Sequence, residues 1–361
     1  MLRRLGLALR VTLALLAGAC GVDGTAGVSA ADTSTSSALT PTTTVPTTTV
    51  PTTTTLAPIP TPEVSDVESL LALERPVVAG HAGGDRTWPH STMYGFAEAA
   101  RAGVDVLDMD VQLTGDGVLV VQHDDTVDKT TETTGRVRDL TYDELQALDN
   151  GYWWSANWPS HDGPEDAYVH RGVRTGALEP PAGYGPDDFR VETFRAVAEA
   201  FPDHVLNIEI KRPRGDDGEE DIAFATEGAV VLAEEVAALD RDDSVIVVAD
   251  NEEVMATFRG LAPDVVTAPS TTEVFSWLVG SAELASSVRL LQIPPTVDGA
   301  DILTDDILGR AAADDLLVWV WPNADELENA DYYEELVTVI GGAGVIAARP
   351  AEAVGRFATL G

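Results

Sequence analysis

The sequence predicts an α/β fold: a (β/α)8 TIM barrel with a hairpin after the second strand and a long insertion before the fourth. Three observations carry that expectation. Nine short runs rich in Val, Ile and Leu recur at 77–83, 104–112, 118–124, 205–211, 245–250, 265–270, 290–294, 316–322 and 345–349. Most are continuously apolar, the mark of strands buried on both faces, and helical patterns lie between most of them, which implies a parallel sheet. Residues 64–361 are also long enough for a barrel of about 250 residues plus insertions.

Taken in order, the first run ends at His81 and is followed by a helical pattern at 94–102. Only residues 113–117 separate the second and third runs, whereas a parallel crossover needs roughly a dozen residues or more. Gly115-Asp116-Gly117 is turn chemistry, so these two runs are expected to form a hairpin, which leaves eight strands for the barrel. Further helices are expected at 141–148, 191–200, 223–239, 251–261, 272–279 and 332–341. An open doubly wound sheet is the alternative, but His81-Ala82-Gly83-Gly84 lacks the GxGxxG spacing of a dinucleotide site. Between His123 and Glu209 lies the insertion, where Tyr152, Trp153, Trp154 and Trp158 cluster ahead of Gly/Pro-rich sequence. Loops that follow strands lie over the active end of a barrel, so this segment is placed to roof it. Its rings either cradle a quaternary ammonium or a lipid face, or plug a long loop; the plug is the preferred reading.

Composition narrows the function. The chain has 361 residues, is 44% hydrophobic and carries a formal net charge of −38. The apolar content excludes full disorder, and the charge excludes a general nucleic-acid binder and disfavours adsorption to anionic lipid. An anionic substrate would need a local cation or a bound metal to reverse the field. Lysine occurs only at Lys129 and Lys211. A single cysteine, Cys20, excludes an intrachain disulfide framework and a cysteine-rich zinc site.

The N-terminal residues read as address and tether. Arg3, Arg4 and Arg10 precede an apolar stretch at 11–19 that is too short to span a bilayer. Cys20 follows directly after Ala17-Gly18-Ala19, and the whole resembles a bacterial lipoprotein signal at 1–19 with Cys20 as the lipidation site. An ordinary secreted protein is the alternative. Residues 20–63 include a Thr/Ser/Pro tract with a repeating TTTVP unit, expected to be a disordered stalk. The expected location is therefore extracytoplasmic, with contact to the membrane through a lipid anchor only.

Polar residues interrupt the apolar strands mainly at strand ends, where a parallel barrel gathers its reactive groups. Asp108 and Asp110 are two apart and share a strand face. Two buried carboxylates repel, and a hard divalent cation resolves the conflict; Glu209 can add a third oxygen. Hairpin pairing brings His123 opposite roughly Asp108 or Asp110. His81 and His123 then form a candidate general acid and base, and with a metal on the phosphate oxygens the set suits phosphoryl transfer. Lys211 shares the face of Glu209, so either it serves the site or it forms a structural ion pair. His90, His161, His170 and His204 carry no weight alone.

The run VVAGHAGGDRTWPHSTMYGFAEAARAGVDVLDMDVQLTGDGVLVVQHDDTVDKTT, with TGRVRDLTYDELQALD, LNIEIK and VWVWPN, resembles the glycerophosphodiester phosphodiesterases. That family typically reads HRG, PENT, ExD, TxDG, HD and ExK in order. The resemblance implies His81 and His123 as catalytic residues, Asp108, Asp110 and Glu209 as ligands of one Ca2+ or Mg2+, and Lys211 and Trp321 as substrate contacts. Three departures stand out: Ala82 replaces the arginine of HRG, Pro89-His90-Ser91-Thr92 lacks the glutamate of PENT, and Asp108 is shorter than the usual glutamate. Arg86 is a candidate stand-in for the missing arginine.

The expected activity is metal-dependent hydrolysis of a small-molecule glycerophosphodiester to glycerol phosphate and an alcohol, by a monomer. The alternatives are a sphingomyelinase-D-like or wall-polymer phosphodiesterase, and a catalytically decayed surface binding protein on the same barrel.

Overall fold

The structure is a computed structural model that describes residues 56–157 and 161–360. Cys20, the expected signal and most of the expected stalk lie outside the described residues. The last part of the stalk lies within them, and Ile59 packs against the hydrophobic core while Glu63 pairs with Arg75 at 2.8 Å.

The strands are β1 (Val77–Gly80), β2 (Val106–Leu113), β3 (Leu119–Val121), β4 (Val205–Ile210), β5 (Val245–Val248), β6 (Val266–Thr267), β7 (Leu290–Ile293), β8 (Thr296–Val297), β9 (Ala300–Asp301), β10 (Leu317–Val320) and β11 (Gly344–Ala347). Eight of them run β6-β5-β4-β2-β1-β11-β10-β7, parallel at every step, and β3 pairs antiparallel on β2 as the return limb of a hairpin. A parallel bridge between Thr267 and Val288 closes β6 onto the approach to β7. The barrel and its hairpin are thus those expected from the apolar runs.

Several details differ from expectation. The strands are mostly shorter than the apolar runs, because the chain turns as soon as it leaves the sheet. After Gly80 it curls into a 3-10 turn (His81–Gly83) with positive φ at Ala82, Gly83 and Gly84. The β8–β9 hairpin was not expected; it is a two-residue ladder turned by Asp298 and Gly299, both at positive φ. Helices not expected occur at Val67–Leu71, capped by Asp66, at Asp305–Ala313, capped by Thr304, and at Pro350–Phe357, with proline at its start. The helix expected at 332–341 starts at Ala330 and widens into a π-turn over Leu336–Ile340.

Alternation along the strands sorts side chains between two cores. Val78, Leu107, Met109, Leu206 and Ile208 face the surrounding helices in the large outer core. Val77, Ala79, Val106, Val205, Ile246, Leu290, Trp319 and Ile346 form a second cluster that takes in Val67 and Leu70 of the first helix. This second cluster draws one parity from each strand, which identifies it as the barrel interior. The same parity carries on up β2 to Asp108, Asp110 and Gln112, up β4 to Asn207 and Glu209, and past β10 to Trp321. The strand pattern therefore fills the lower barrel with hydrocarbon and leaves the upper part, towards the C-terminal mouth, polar.

Candidate active site

The polar layers rise directly from this register. Asp108 stands beside Asn207, and Asp110 beside Glu209, on the paired strands β2 and β4. Asn207 Nδ2 donates to Asp108 Oδ1 at 2.6 Å and exchanges hydrogen bonds with Gln292 on β7, so an amide chain crosses the barrel below the site. Burial pushes the Asp108 carboxyl up to about 6, with Asp110 and Glu209 adding to the effect and His81 and Asn207 opposing it. Burial also works against ionisation of Asp110. Lys211, His123 and His81 outweigh it there and hold that carboxyl below its ordinary value.

Lys211 Nζ bridges Asp110 Oδ1 and Glu209 Oε1, at 2.9 Å from each. Burial disfavours its charge, but the two carboxylates win and raise its pKa. Lys211 is therefore part of a triad. Among the described residues, no three His, Cys, Asp or Glu side chains are gathered tightly enough to grip one ion as they stand, with Lys211 lying between two of them. The donor set itself fits a hard divalent cation, because it offers carboxylate oxygens from three residues. In addition, Asp110 Oδ2 and Gln112 Oε1, which share a strand face, are buried acceptors with no hydrogen-bond partner. Such orphaned oxygens on a carboxylate wall are what a missing cation would satisfy.

The imidazoles stand at the rim. His81 begins the turn after β1, and its Nδ1 lies 3.4 Å from Asp85 Oδ1. Burial lowers the pKa of His81, but Asp85, Asp108 and Asp110 reverse the sign and raise it. His123 follows β3, and its Nδ1 lies 2.5 Å from Asp124 Oδ1. Gln112 Nε2 donates to the carbonyls of Gln122, His123 and Asp124, and so fixes that loop. Burial would raise the carboxyls of Asp85 and Asp124; their histidines and nearby cations instead hold each at about 2. Both histidines thus have a carboxylate at Nδ1, an arrangement that leaves Nε2 for chemistry.

Sequence reasoning did not name Asp85, Gln112 or Asn207, and assigned His90 no weight alone. His90 lies within the fields of Asp85, His123, Asp124 and Lys129, and burial with Lys129 pushes its pKa down to about 4. The polar interruptions at 112 and 207 were the available signal. Asp85 gave none, since it sits in a turn rather than a strand pattern.

The remaining expected contacts divide. Trp321 follows β10 and is 39% exposed, so its indole is open to a ligand at the mouth. Arg86 forms an ion pair with Asp325 in the loop after β10. The insertion does lie over the site: Trp154 Nε1 donates to the Asp85 carbonyl at 2.8 Å, and Trp153 N donates to the Thr130 carbonyl at 3.2 Å. Its aromatic rings already hold a cation. The Arg171 guanidinium lies 4.6, 4.4 and 4.3 Å from the ring centres of Tyr152, Trp153 and Tyr168. Beside His123 opens a polar cavity of about 330 Å³, walled by Glu209, Lys211, Arg212, Arg214 and Asp250 among others.

Known proteins resemble this chain in sequence and in fold. A glycerophosphodiester phosphodiesterase of Caldanaerobacter subterraneus is 45% identical over 75 residues, covering 21% of this chain and 31% of the relative. Human glycerophosphodiester phosphodiesterase 1 is 35% identical over 89 residues, covering 25% of this chain and 27% of the relative. The match thus spans less than a third of these relatives' length. Among solved structures, a glycerophosphodiester phosphodiesterase of Agrobacterium tumefaciens superposes with a TM-score of 0.55 at 19% identity, covering 78% of this chain and 99% of its own. A phosphodiesterase of Oleispira antarctica, solved with the product sn-glycerol-3-phosphate, gives a TM-score of 0.58 at 18% identity, covering 79% and 97%. These two share the fold. The sequence profile that matches residues 81–350 runs from the first rim histidine to beyond the last strand, and on that match the chain belongs to the glycerophosphoryl diester phosphodiesterase family.

Proposed function

We propose that this chain hydrolyses a glycerophosphodiester to glycerol phosphate and an alcohol, with His81 and His123 as the proton-transfer pair. The observation that carries this reading is two carboxylate-oriented imidazoles flanking the acidic wall of β2 and β4. One imidazole takes the proton of the attacking oxygen as its bond to phosphorus forms. The other gives a proton to the alcohol oxygen as its bond to phosphorus breaks. Asp85 and Asp124 hold each ring in the tautomer that presents Nε2, and Trp321 offers a face to the glycerol. Asp108, Asp110 and Glu209 would hold one divalent ion, Ca2+ or Mg2+, which supplies charge neutralisation at the phosphate when bound.

The polar walls of the cavity beside His123 favour a hydrophilic leaving alcohol over an acylated lipid, and so favour a soluble diester over a sphingomyelinase-D-like substrate. Capture of the rings by Arg171 supports the plug reading of the insertion over a quaternary-ammonium cage. Ala82 and His90 are what favour a decayed binding protein, and the retained histidines and carboxylates weigh against it. The reading places the enzyme outside the cytoplasm as a monomer, tethered through lipidated Cys20, with no nucleic-acid partner.

A panel of soluble headgroup diesters, intact lipids and wall polymer, each assayed with and without chelator, tests the proposal. Turnover of a soluble glycerophosphodiester that chelator abolishes and Ca2+ or Mg2+ restores is the expected result. Metal binding with no turnover of any diester would replace hydrolysis with the binding-protein reading.

A further inference from the structure

We propose that Lys129 contacts the phosphate of the substrate, taking over from the arginine that Ala82 has replaced. The inference rests on the hydrolase reading above and adds a residue to it. A phosphodiester in a chain of net charge −38 needs a cation at the reacting centre, and where the family resemblance implies the arginine of HRG as a phosphate contact this chain has Ala82. Arg86 is committed to Asp325. Lys211 is committed twice over, to Asp110 and Glu209. Arg212, in the adjoining cavity, is paired with both Glu220 and Asp250.

Lys129 is held differently. Its Nζ lies 3.7 Å from Asp124 Oδ1, the same oxygen that faces His123 Nδ1 at 2.5 Å, and its side chain is 49% exposed. A loose, half-open ion pair can be exchanged for a phosphate oxygen at little cost, unlike a pair of close contacts. The backbone beneath it is fixed: His161 Nε2 lies 3.3 Å from the Lys129 carbonyl, and Trp153 N donates to the carbonyl of Thr130. The insertion therefore holds the base of the side chain while leaving the ammonium free to move. Among the described residues, the one ion pair of the Lys129 ammonium is thus to the carboxylate that orients His123, which sets it beside that histidine–carboxylate pair. Both lysines of the chain thus stand at this mouth, one locked and one loose.

The test compares the wild-type chain with Lys129→Ala and Lys129→Arg, using a soluble glycerophosphodiester for kinetics and glycerol phosphate for calorimetric binding. Lys129→Ala is expected to raise KM and the dissociation constant of glycerol phosphate at least about tenfold, with kcat changed by less than about threefold. Lys129→Arg is expected to restore most of both. If Lys129 served only to steady Asp124, kcat would fall while KM and glycerol phosphate affinity stayed put, and that result would overturn the proposal. An unchanged Lys129→Ala would overturn it equally. A wild-type chain that binds glycerol phosphate but turns over no diester would count against the hydrolase reading alone, because the binding comparison would still decide the role of Lys129.

Discussion

The two halves of the site are built in opposite ways. The acidic half stands on β2 and β4, where Asp108 and Asp110 are 7% and 4% exposed and strand register fixes every neighbour. The imidazole half stands on turns beyond the strand ends, where the side chains of His81 and His123 keep 36% and 42% of their surface. Fixed charge is set into the rigid sheet, where repositioning would cost a strand pairing. Proton carriers are set on loops, and their aim depends on second partners: Asp85, Asp124, Gln112 and the indole of Trp154. The lesson is that electrostatic wall and proton transfer can fail separately.

The largest expected effect falls on the imidazole half. His81→Ala or His123→Ala should each lower kcat by about 10²–10⁴-fold while Ca2+ or Mg2+ binding, followed by calorimetry, persists. Loss of metal binding in either variant would show that the halves are not separable.

A second prediction concerns the acidic wall and pH. The folded-state pKa of Asp108 is raised, to about 6 from an ordinary 3.8, so the stability it contributes is present below the ordinary value and lost as pH rises through about 6. Without metal, this group alone should make the chain less stable at pH 7.5 than at pH 5. A divalent ion relieves the repulsion of the ionised set, so its addition should raise Tm more at pH 7.5 than at pH 5. Equal shifts at both values would mean that the ion does not sit on this wall.

The smallest effect is expected in the roof. Arg171→Ala removes the cation shared by Tyr152, Trp153 and Tyr168 and should cost about 1–2 kcal/mol of stability, read by denaturant unfolding. Faster proteolysis within the insertion should accompany it. No change in either would reduce the stacked rings to surface decoration.

Legibility in the sequence follows the same division. The barrel strands were readable because continuous apolar runs have few other uses, and the hairpin because Gly115-Asp116-Gly117 leaves no room for a crossover. Asp108, Asp110, Glu209 and Lys211 were readable because a period of two fixes which residues share a face. Partners made by chain folding left no such trace. Asp85 meets His81 only because three successive residues of the intervening turn adopt positive φ. Arg171 reaches its aromatic cage from far along an insertion without periodicity. Strand ends were overestimated for a related reason: the expected runs took in residues such as His81, His123 and Lys211, which lie just past the ends of their strands.

The scarcity of lysine has a practical consequence. Besides the terminal amine, the chain offers reagents only two primary amines, and these differ sharply in access: Lys129 is 49% exposed, whereas Lys211 is 17% exposed between two carboxylates. Of the two lysines, a limiting dose of an acylating dye should therefore mark Lys129 first, and a bound phosphate at the mouth should slow that labelling while leaving Lys211 unaffected.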